Sequence, residues 1–229
     1  MDKLTDTLFV IPARGGSKGL PGKNIKKLCG KPLIAYSIDV ARKFVDDKHI
    51  CVSTDSEEIK NIVESYGLVV PFLRPDYLAT DTSTTNDVLV HAVNFFKRQG
   101  LEYKKLVLLQ PTSPLRTSQD VQGAMELYRD DIDMVVSVVK SHAPAVLCCE
   151  NENGFVDLLY NIKSAGRQHL PDMYEFNGAV YIICIQALLD KGLSKFTKRV
   201  KYVMSKDHSV DIDDIYDFKL VETILNDIG

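Results

Sequence analysis

The stretch "FVIPARGGSKGLPGKNIKKL", residues 9–28, sets Arg14, Lys18 and Lys23 among four glycines, directly behind a short apolar run. Glycines at the end of a strand permit tight turns and let backbone N–H groups come close to an anion, which is how such loops cradle phosphates. The loop is not a Walker A motif. Counting back from Gly22-Lys23, the required first glycine is Ser17, and Asn24 stands where Ser or Thr would hold magnesium. Nor is it G-x-G-x-x-G, because the residue two after Gly15 is Ser17. Three separate cations suit several phosphates at once, the Arg as a planar fork and the lysines as movable point charges, so a triphosphate fits better than a dinucleotide. A flexible surface loop with solvated charges has the same composition, and spacing alone leaves both readings open.

A second chemical pattern is "SVDIDD", residues 209–214. In an extended segment Asp211 and Asp213 project from one face, where two carboxylates hold a hard cation such as Mg²⁺ that also grips phosphate oxygens. The same residues open the helical pattern "DDIYDFKLVETIL", so acidic capping of a helix is an equal alternative on the residues alone. In "LLQPTSPLRT", residues 108–117, Gln110 falls at the carboxyl end of a predicted strand, where open α/β sheets bind ligands, and its amide can both donate and accept toward a sugar. Pro111 and Pro114 are explained by strand termination alone, but the polar cluster between them is not. The five histidines show no metal-ligand spacing.

The elements that must position these residues follow from periodicity. Apolar runs bounded by turn residues recur at 8–11, 49–53, 105–110, 133–139, 179–185 and 200–204, and their near-continuous hydrophobicity suits strands covered on both faces. Between them lie helical patterns: one opened by Pro32, one capped by Ser56 and stopped by Gly67, one with Thr84 or Thr85 as cap, and "SQDVQGAMELYRD". Alternating β and α predicts an α/β fold, a mostly parallel sheet with helices on both faces. Residues 140–176 break the rhythm with polar, turn-rich sequence and read as an insertion within a single 1–229 domain.

Hydrophobic residues at 45%, charged residues at 26% and net charge −3 are ordinary for a globular protein and supply no basic field for nucleic acid. The longest apolar run, Ala179 to Ile185, is far short of the ~20 residues a membrane span needs, and the amino terminus lacks a secretory apolar segment. Cysteines at 29, 51, 148, 149 and 184 form no C-x-x-C pair and are odd in number, which predicts a reduced, cytoplasmic protein without a disulfide framework.

Together these stretches resemble a known family. "IPARGGSKGLPGKNIKKLCGKPLIAYSI" (11–38) is similar to the opening signature of the acylneuraminate cytidylyltransferases, or CMP-sialic acid synthetases, and "LRPDYLATDTSTT" (73–85), "LLQPTSPLRT", "FNGAVYI" (176–182) and "SVDIDD" match in order. The resemblance spans nearly the whole chain. It implies a Rossmann-like nucleotidyltransferase fold and a reaction in which the anomeric 2-hydroxyl of a nonulosonic acid, N-acetylneuraminate first among them, attacks the α-phosphorus of CTP and releases pyrophosphate. It further implies that Ala13, Arg14, Gly15, Gly16, Lys18, Lys23, Asn24, Arg74 and Ser83 bind the nucleotide. Arg14, Lys18, Lys23 and Asp211 would carry the catalysis, and Asp211 with Asp213 would hold Mg²⁺, or Mn²⁺ in its place. Thr85, Gln110, Asn177 and Arg167 would contact the sugar acid, with Arg167 delivered by the 140–176 insertion of a homodimer partner.

Val146 departs from a lysine that members of the family can carry; either Lys140 or Lys163 replaces it, or the sugar differs. The rival acceptors are legionaminic and pseudaminic acids. The eight-carbon acid of lipopolysaccharide fits less well, since "GKNIKKLCGKPL" is longer than the pattern expected there. A rival of another class is a silent nucleotide-binding regulator, against which the intact loop cations and the Asp211/Asp213 pair argue. No separate general base is visible.

Overall fold

The structure, a computed structural model, describes residues 3–17, 19–80, 82–141, 148–150, 152–153, 156–158 and 172–228. In chain order the elements are β1 (Thr7–Pro12), β2 (Lys27–Leu28), β3 (Lys31–Pro32), α1 (Leu33–Ala41), β4 (Ile50–Ser53), α2 (Glu57–Ser65), α3 (Thr85–Arg98), β5 (Lys105–Leu108) and α4 (Ser118–Glu126). They continue through β6 (Met134–Ser141), β7 (Cys148–Glu150), β8 (Val156–Leu158), β9 (Met173–Cys184), α5 (Ile185–Lys191), β10 (Arg199–Val203) and α6 (Ile215–Ile228).

Six strands form one sheet in the order β10-β6-β9-β5-β1-β4. β1 pairs in parallel with β4 and β5, and β6 with β10, whereas β9 runs antiparallel to both its neighbours. The apolar strands are covered on both faces, as parallel strands require. Phe9 and Ile11 pack on one side with Ile38, Val63 and Val121, while Leu8 and Val10 pack on the other with Leu89, Phe96 and Leu188. Helix starts follow the expected caps. Ser56 accepts from Ile59 N at 3.3 Å, and Thr84, rather than Thr85, forms a reciprocal box with Asp87.

Two expectations are corrected in extent. The run 179–185 is only the second half of a twelve-residue β9, and its last residue opens α5, because an unbroken apolar run has no period to mark the change. The edges of the 140–176 insertion belong to the sheet: Lys140 pairs with Tyr174 and Ser141 with Met173. Exposed Lys140 and Glu175 made this strand pair read as a break, although both lie in paired strand. β7 and β8 pair antiparallel; residues 142–147, 151, 154–155 and 159–171 lie outside the described residues.

Because β1 has β4 on one side and β5 on the other, the carboxyl ends of these strands open a crevice of the kind in which α/β sheets bind ligands. A small third core welds the loops around it. Leu20 of the glycine-rich loop, Leu28, Leu33, Leu115, Ile212, Phe218 and Val221 are buried together. Each such side chain contributes about 1.5–3 kcal/mol of burial, so three motifs distant in sequence share one apolar anchor.

Candidate active site

The glycine-rich loop leaves β1 with Ala13 buried and its N–H bonded to Ser53 O at 2.9 Å. Gly15 N donates to Asp55 Oδ1 at 3.0 Å, and Asn24 Nδ2 to Arg14 O at 3.0 Å, so the turn is tethered at Arg14 and Gly15. Asn24 is itself buried. Lys18 lies outside the described residues.

Lys23 is not a solvated loop cation. It is buried, and its Nζ donates to Ile212 O at 2.5 Å and stands 3.8 Å from Asp213 Oδ1. The loop and residues 212–213 touch so closely that a Cβ on Gly19 would lie 2.4 Å from Asp213 O, which restricts that position to glycine. Helix capping falls to neighbouring acids: Asp214 Oδ1 accepts from Tyr216 N and Asp217 N, and Asp217 Oδ2 from Asp213 N and Asp214 N. Neither Asp211 nor Asp213 is consumed by capping. Asp213 is exposed, whereas Asp211 points inward, and burial raises its carboxyl above the ordinary range; Asp213 adds to the rise, while the Thr112 hydroxyl and Lys23 oppose it.

Arg74 is buried at the end of β4, its Nε donating to Ser53 Oγ at 3.1 Å and its Nη2 to Ser53 O at 2.5 Å. Burial lowers its pKa, Arg14 acts in the same direction and Asp55 opposes them, so the two guanidiniums share one anion-attracting corner. The charge of Arg74 also reaches His91. His91 and Ser83 line a cavity of about 570 Å³ beside α3, where the Ser83 hydroxyl donates to Tyr77 O at 3.0 Å.

On the other side of the crevice, Thr85 and Gln110 line one cavity of about 240 Å³ with Tyr181, Arg199, Phe176 and apolar neighbours. Burial raises the Tyr181 phenol, and Asp211 raises it further, so this cavity lies within electrostatic reach of Asp211. The amide of Asn177 is turned inward: Oδ1 accepts from Ser137 Oγ at 2.6 Å, and Nδ2 donates to Ser209 Oγ at 2.9 Å and to Met204 Sδ at 3.2 Å. Its geometry is that of a brace between β9 and the acidic segment. Arg116 is also an internal brace, donating to Ala179 O at 2.8 Å and to Ser37 Oγ at 2.6 Å. Arg167 lies outside the described residues.

Sequence reasoning missed Asp55, Tyr181 and the hydroxyls of Thr112 and Ser113. Tyr181 sits inside an apolar strand and carried no signal; the polar residues between Pro111 and Pro114 were the signal for the hydroxyls. Among the described residues no three His, Cys, Asp or Glu side chains cluster as a metal cage. Mg²⁺, however, is commonly held by one or two carboxylates with substrate phosphates. Asp211 Oδ1 is buried without a hydrogen-bond partner, and the Gly178 position beside it would be filled by a Cβ only 3.6 Å from Asp211 Oδ2. A hard cation fits that donor set.

Comparison with known proteins finds relatives over nearly the whole chain. The N-acylneuraminate cytidylyltransferase of Escherichia coli is 37% identical over 226 residues, which cover 96% of this chain and 52% of that protein. The CMP-N,N'-diacetyllegionaminic acid synthase of Legionella pneumophila is 34% identical over 224 residues, 95% of each. The chain thus spans about half the length of the first relative and nearly all of the second. The solved structure of a CMP:2-keto-3-deoxy-manno-octonic acid synthetase complexed with CTP shares the fold, with TM-score 0.72 at 18% identity over 97% of this chain and 99% of that one. Among the described residues no helix is long and apolar enough to cross a membrane. The sequence model of the cytidylyltransferase family matches residues 8–159, and the chain belongs to that family.

Proposed function

We propose that this protein transfers CMP from CTP to the anomeric 2-hydroxyl of a nonulosonic acid, with N-acetylneuraminate as the first acceptor to try. The observation that carries this reading is the junction of Lys23 with Ile212 O and Asp213, which joins the phosphate-loop cation to the acid pair at the mouth of the crevice. N,N'-diacetyllegionaminate is the second acceptor, favoured by the relative in Legionella pneumophila that matches this chain over nearly its full length.

In the reaction the sugar oxygen forms a bond to the α-phosphorus, the bond to the bridging oxygen breaks, pyrophosphate leaves and the hydroxyl proton passes to solvent. Catalysis then rests on positioning and charge neutralisation. Arg14 and Arg74 attract the nucleotide into their shared corner, with Lys18 as a third cation. Lys23 spends one N–H on Ile212 O and keeps two donors for phosphate oxygens. Asp211 and Asp213 would hold Mg²⁺, which when bound polarises the α-phosphate and offsets its charge. Thr85, Gln110 and Tyr181 orient the sugar acid beside Asp211. The reading includes a homodimer in which Arg167 of the partner completes the sugar site.

Pyrophosphate release from CTP, measured with N-acetylneuraminate, N,N'-diacetyllegionaminate and pseudaminate in turn, tests it. Release that requires one of these acids and stops with EDTA is expected. No release with any acid, despite tight CTP binding, would favour a silent nucleotide-binding regulator and sink the proposal.

A further inference from the structure

Three buried oxygens lack hydrogen-bond partners in one corner of the site: Asp211 Oδ1, Thr112 Oγ1 and Ser113 Oγ. The turn after β5 and the acidic segment are laid side by side by the bond from Ile212 N to Thr112 O, at 2.8 Å. The Thr112 hydroxyl lies close enough to Asp211 to pull its carboxyl down, without an aligned hydrogen bond. Ser113 is fully buried. Opposite them is Gly178, at φ +74°, where a Cβ would sit 3.6 Å from Asp211 Oδ2 and 3.8 Å from Ser113 Oγ. The absent side chain leaves a small cradle walled by oxygens.

Leaving a buried hydroxyl unpaired is costly, so two of them beside an unpaired carboxylate oxygen call for something from outside. A hydroxyl hydrogen rotates, so both oxygens can turn lone pairs into the cradle. One carboxylate and two neutral oxygens match the donors a hard divalent cation takes. Apolar groups gain nothing there, and an anion would meet Asp211.

We infer that Thr112 and Ser113 supply neutral oxygens to the same divalent cation that Asp211 would hold, and that Gly178 keeps their cradle open. This assignment rests on the metal reading above. It gives the "PTSP" segment a direct part in the site, distinct from ending a strand, and leaves the exposed Asp213 as the outer carboxylate facing the nucleotide.

The test uses the whole protein with CTP and Mn²⁺ as the probe, without sugar acid so that no turnover occurs, and reads protein-bound Mn²⁺ by water-proton relaxation. Ser113→Ala and Thr112→Val should each weaken Mn²⁺ binding about tenfold, and Asp211→Asn should remove it. Ser113→Cys adds a readout that a merely structural serine would not move: a soft thiolate donor should weaken Mn²⁺ while strengthening Cd²⁺ relative to the unchanged protein. Thermal melting checks folding, and if Ser113→Ala is unfolded the order of metals in Ser113→Cys decides. Unchanged Mn²⁺ binding in both hydroxyl variants, with loss in Asp211→Asn, overturns the cradle and leaves the metal reading standing. No Mn²⁺ binding by the unchanged protein overturns both, and the pyrophosphate assay then judges the reaction independently.

Discussion

The side of the crevice around the glycine-rich loop and the side around Gln110 are built by different means. On the loop side the chain is tied by polar bonds to backbone: Asn24 to Arg14 O, Lys23 to Ile212 O and Arg74 to Ser53 O, with Asp55 holding Gly15 N. Around Gln110 the cavity is walled largely by Leu108, Met134, Phe176, Ile183 and Leu193, with few polar groups among them. Phosphates are small, highly charged and common to all nucleotides, so fixed donors and cations recognise them. A sugar acid differs from its relatives by an acyl group or a missing hydroxyl, and such differences are read by the shape of a pocket. Asp211 sits where the two sides meet, in electrostatic reach of both Lys23 and Tyr181.

The largest effect should come at that meeting point. Asp211→Ala removes charge stabilisation for the reacting phosphate, and turnover in the pyrophosphate assay should fall on the order of a thousandfold. Near-normal turnover in the folded variant would sink the assignment. The same variant asks whether the sugar side needs a second chain. Mixed with Arg167→Ala, which should also be inactive alone, it should recover about a quarter of full activity through dimers that contain one intact site. No recovery after verified subunit exchange would place Arg167 in the site of its own chain.

A middle-sized effect separates the two sides. Lys23→Ala removes a charge-assisted contact and should raise KM for CTP by roughly ten- to a hundredfold while leaving KM for the sugar acid nearly unchanged. Gln110→Ala should show the reverse split, by about fivefold to tenfold. If both variants moved the same constant, the division drawn here between the two sides would fail.

The smallest effect on catalysis should come from Asp133, at the start of β6 and outside both sides. Its carboxylate pairs with Lys191 Nζ at 2.7 Å and accepts from Thr197 N and Lys198 N at 2.9 Å each. The Lys191 contact, helped by those N–H groups, holds its pKa at about 2 against an ordinary 3.8, with burial opposing. Asp133→Asn should cost about 1–2 kcal/mol and lower Tm by roughly 2–8 °C with both KM values unchanged. Since the folded pKa lies below the unfolded one, this stabilisation is complete above pH 3.8 and is lost as pH falls through 2. The melting curves of variant and unchanged protein should therefore converge toward pH 2. A gap that persisted there would mean the ion pair is not its source.

Local patterns carried much of the fold because each strand and cap is decided within a few residues. The apolar runs, Ser56, Thr84 and the glycine-rich turn are of that kind. Lys23 shows the limit. Its residue type and glycine-rich surroundings mark it as a loop cation, but nothing near it in sequence says that its ammonium is buried against Ile212, which lies 189 residues away. Asn177 shows the same limit from the other direction, since its amide is committed to Ser137, Ser209 and Met204. The antiparallel course of β9 was equally invisible, because an apolar strand reads the same in either direction.

By itself the sequence determined the alternation of strands and helices, the glycine-rich, cationic character of the 13–24 loop and the presence of a carboxylate pair at 211 and 213. These depend on residue type and short spacing, which act through local sterics and charge. Only the tertiary structure decided that Asp214 and Asp217 do the capping while Asp211 turns inward, and that Thr112, Ser113 and Gly178 surround it. It likewise decided that Thr85, Gln110 and Tyr181 wall one cavity. The physical reason is that these positions are set by burial. The apolar anchor of Leu20, Leu115, Ile212 and Phe218 draws segments from both ends of the chain together, and the free energy of that packing depends on contacts that no local stretch contains.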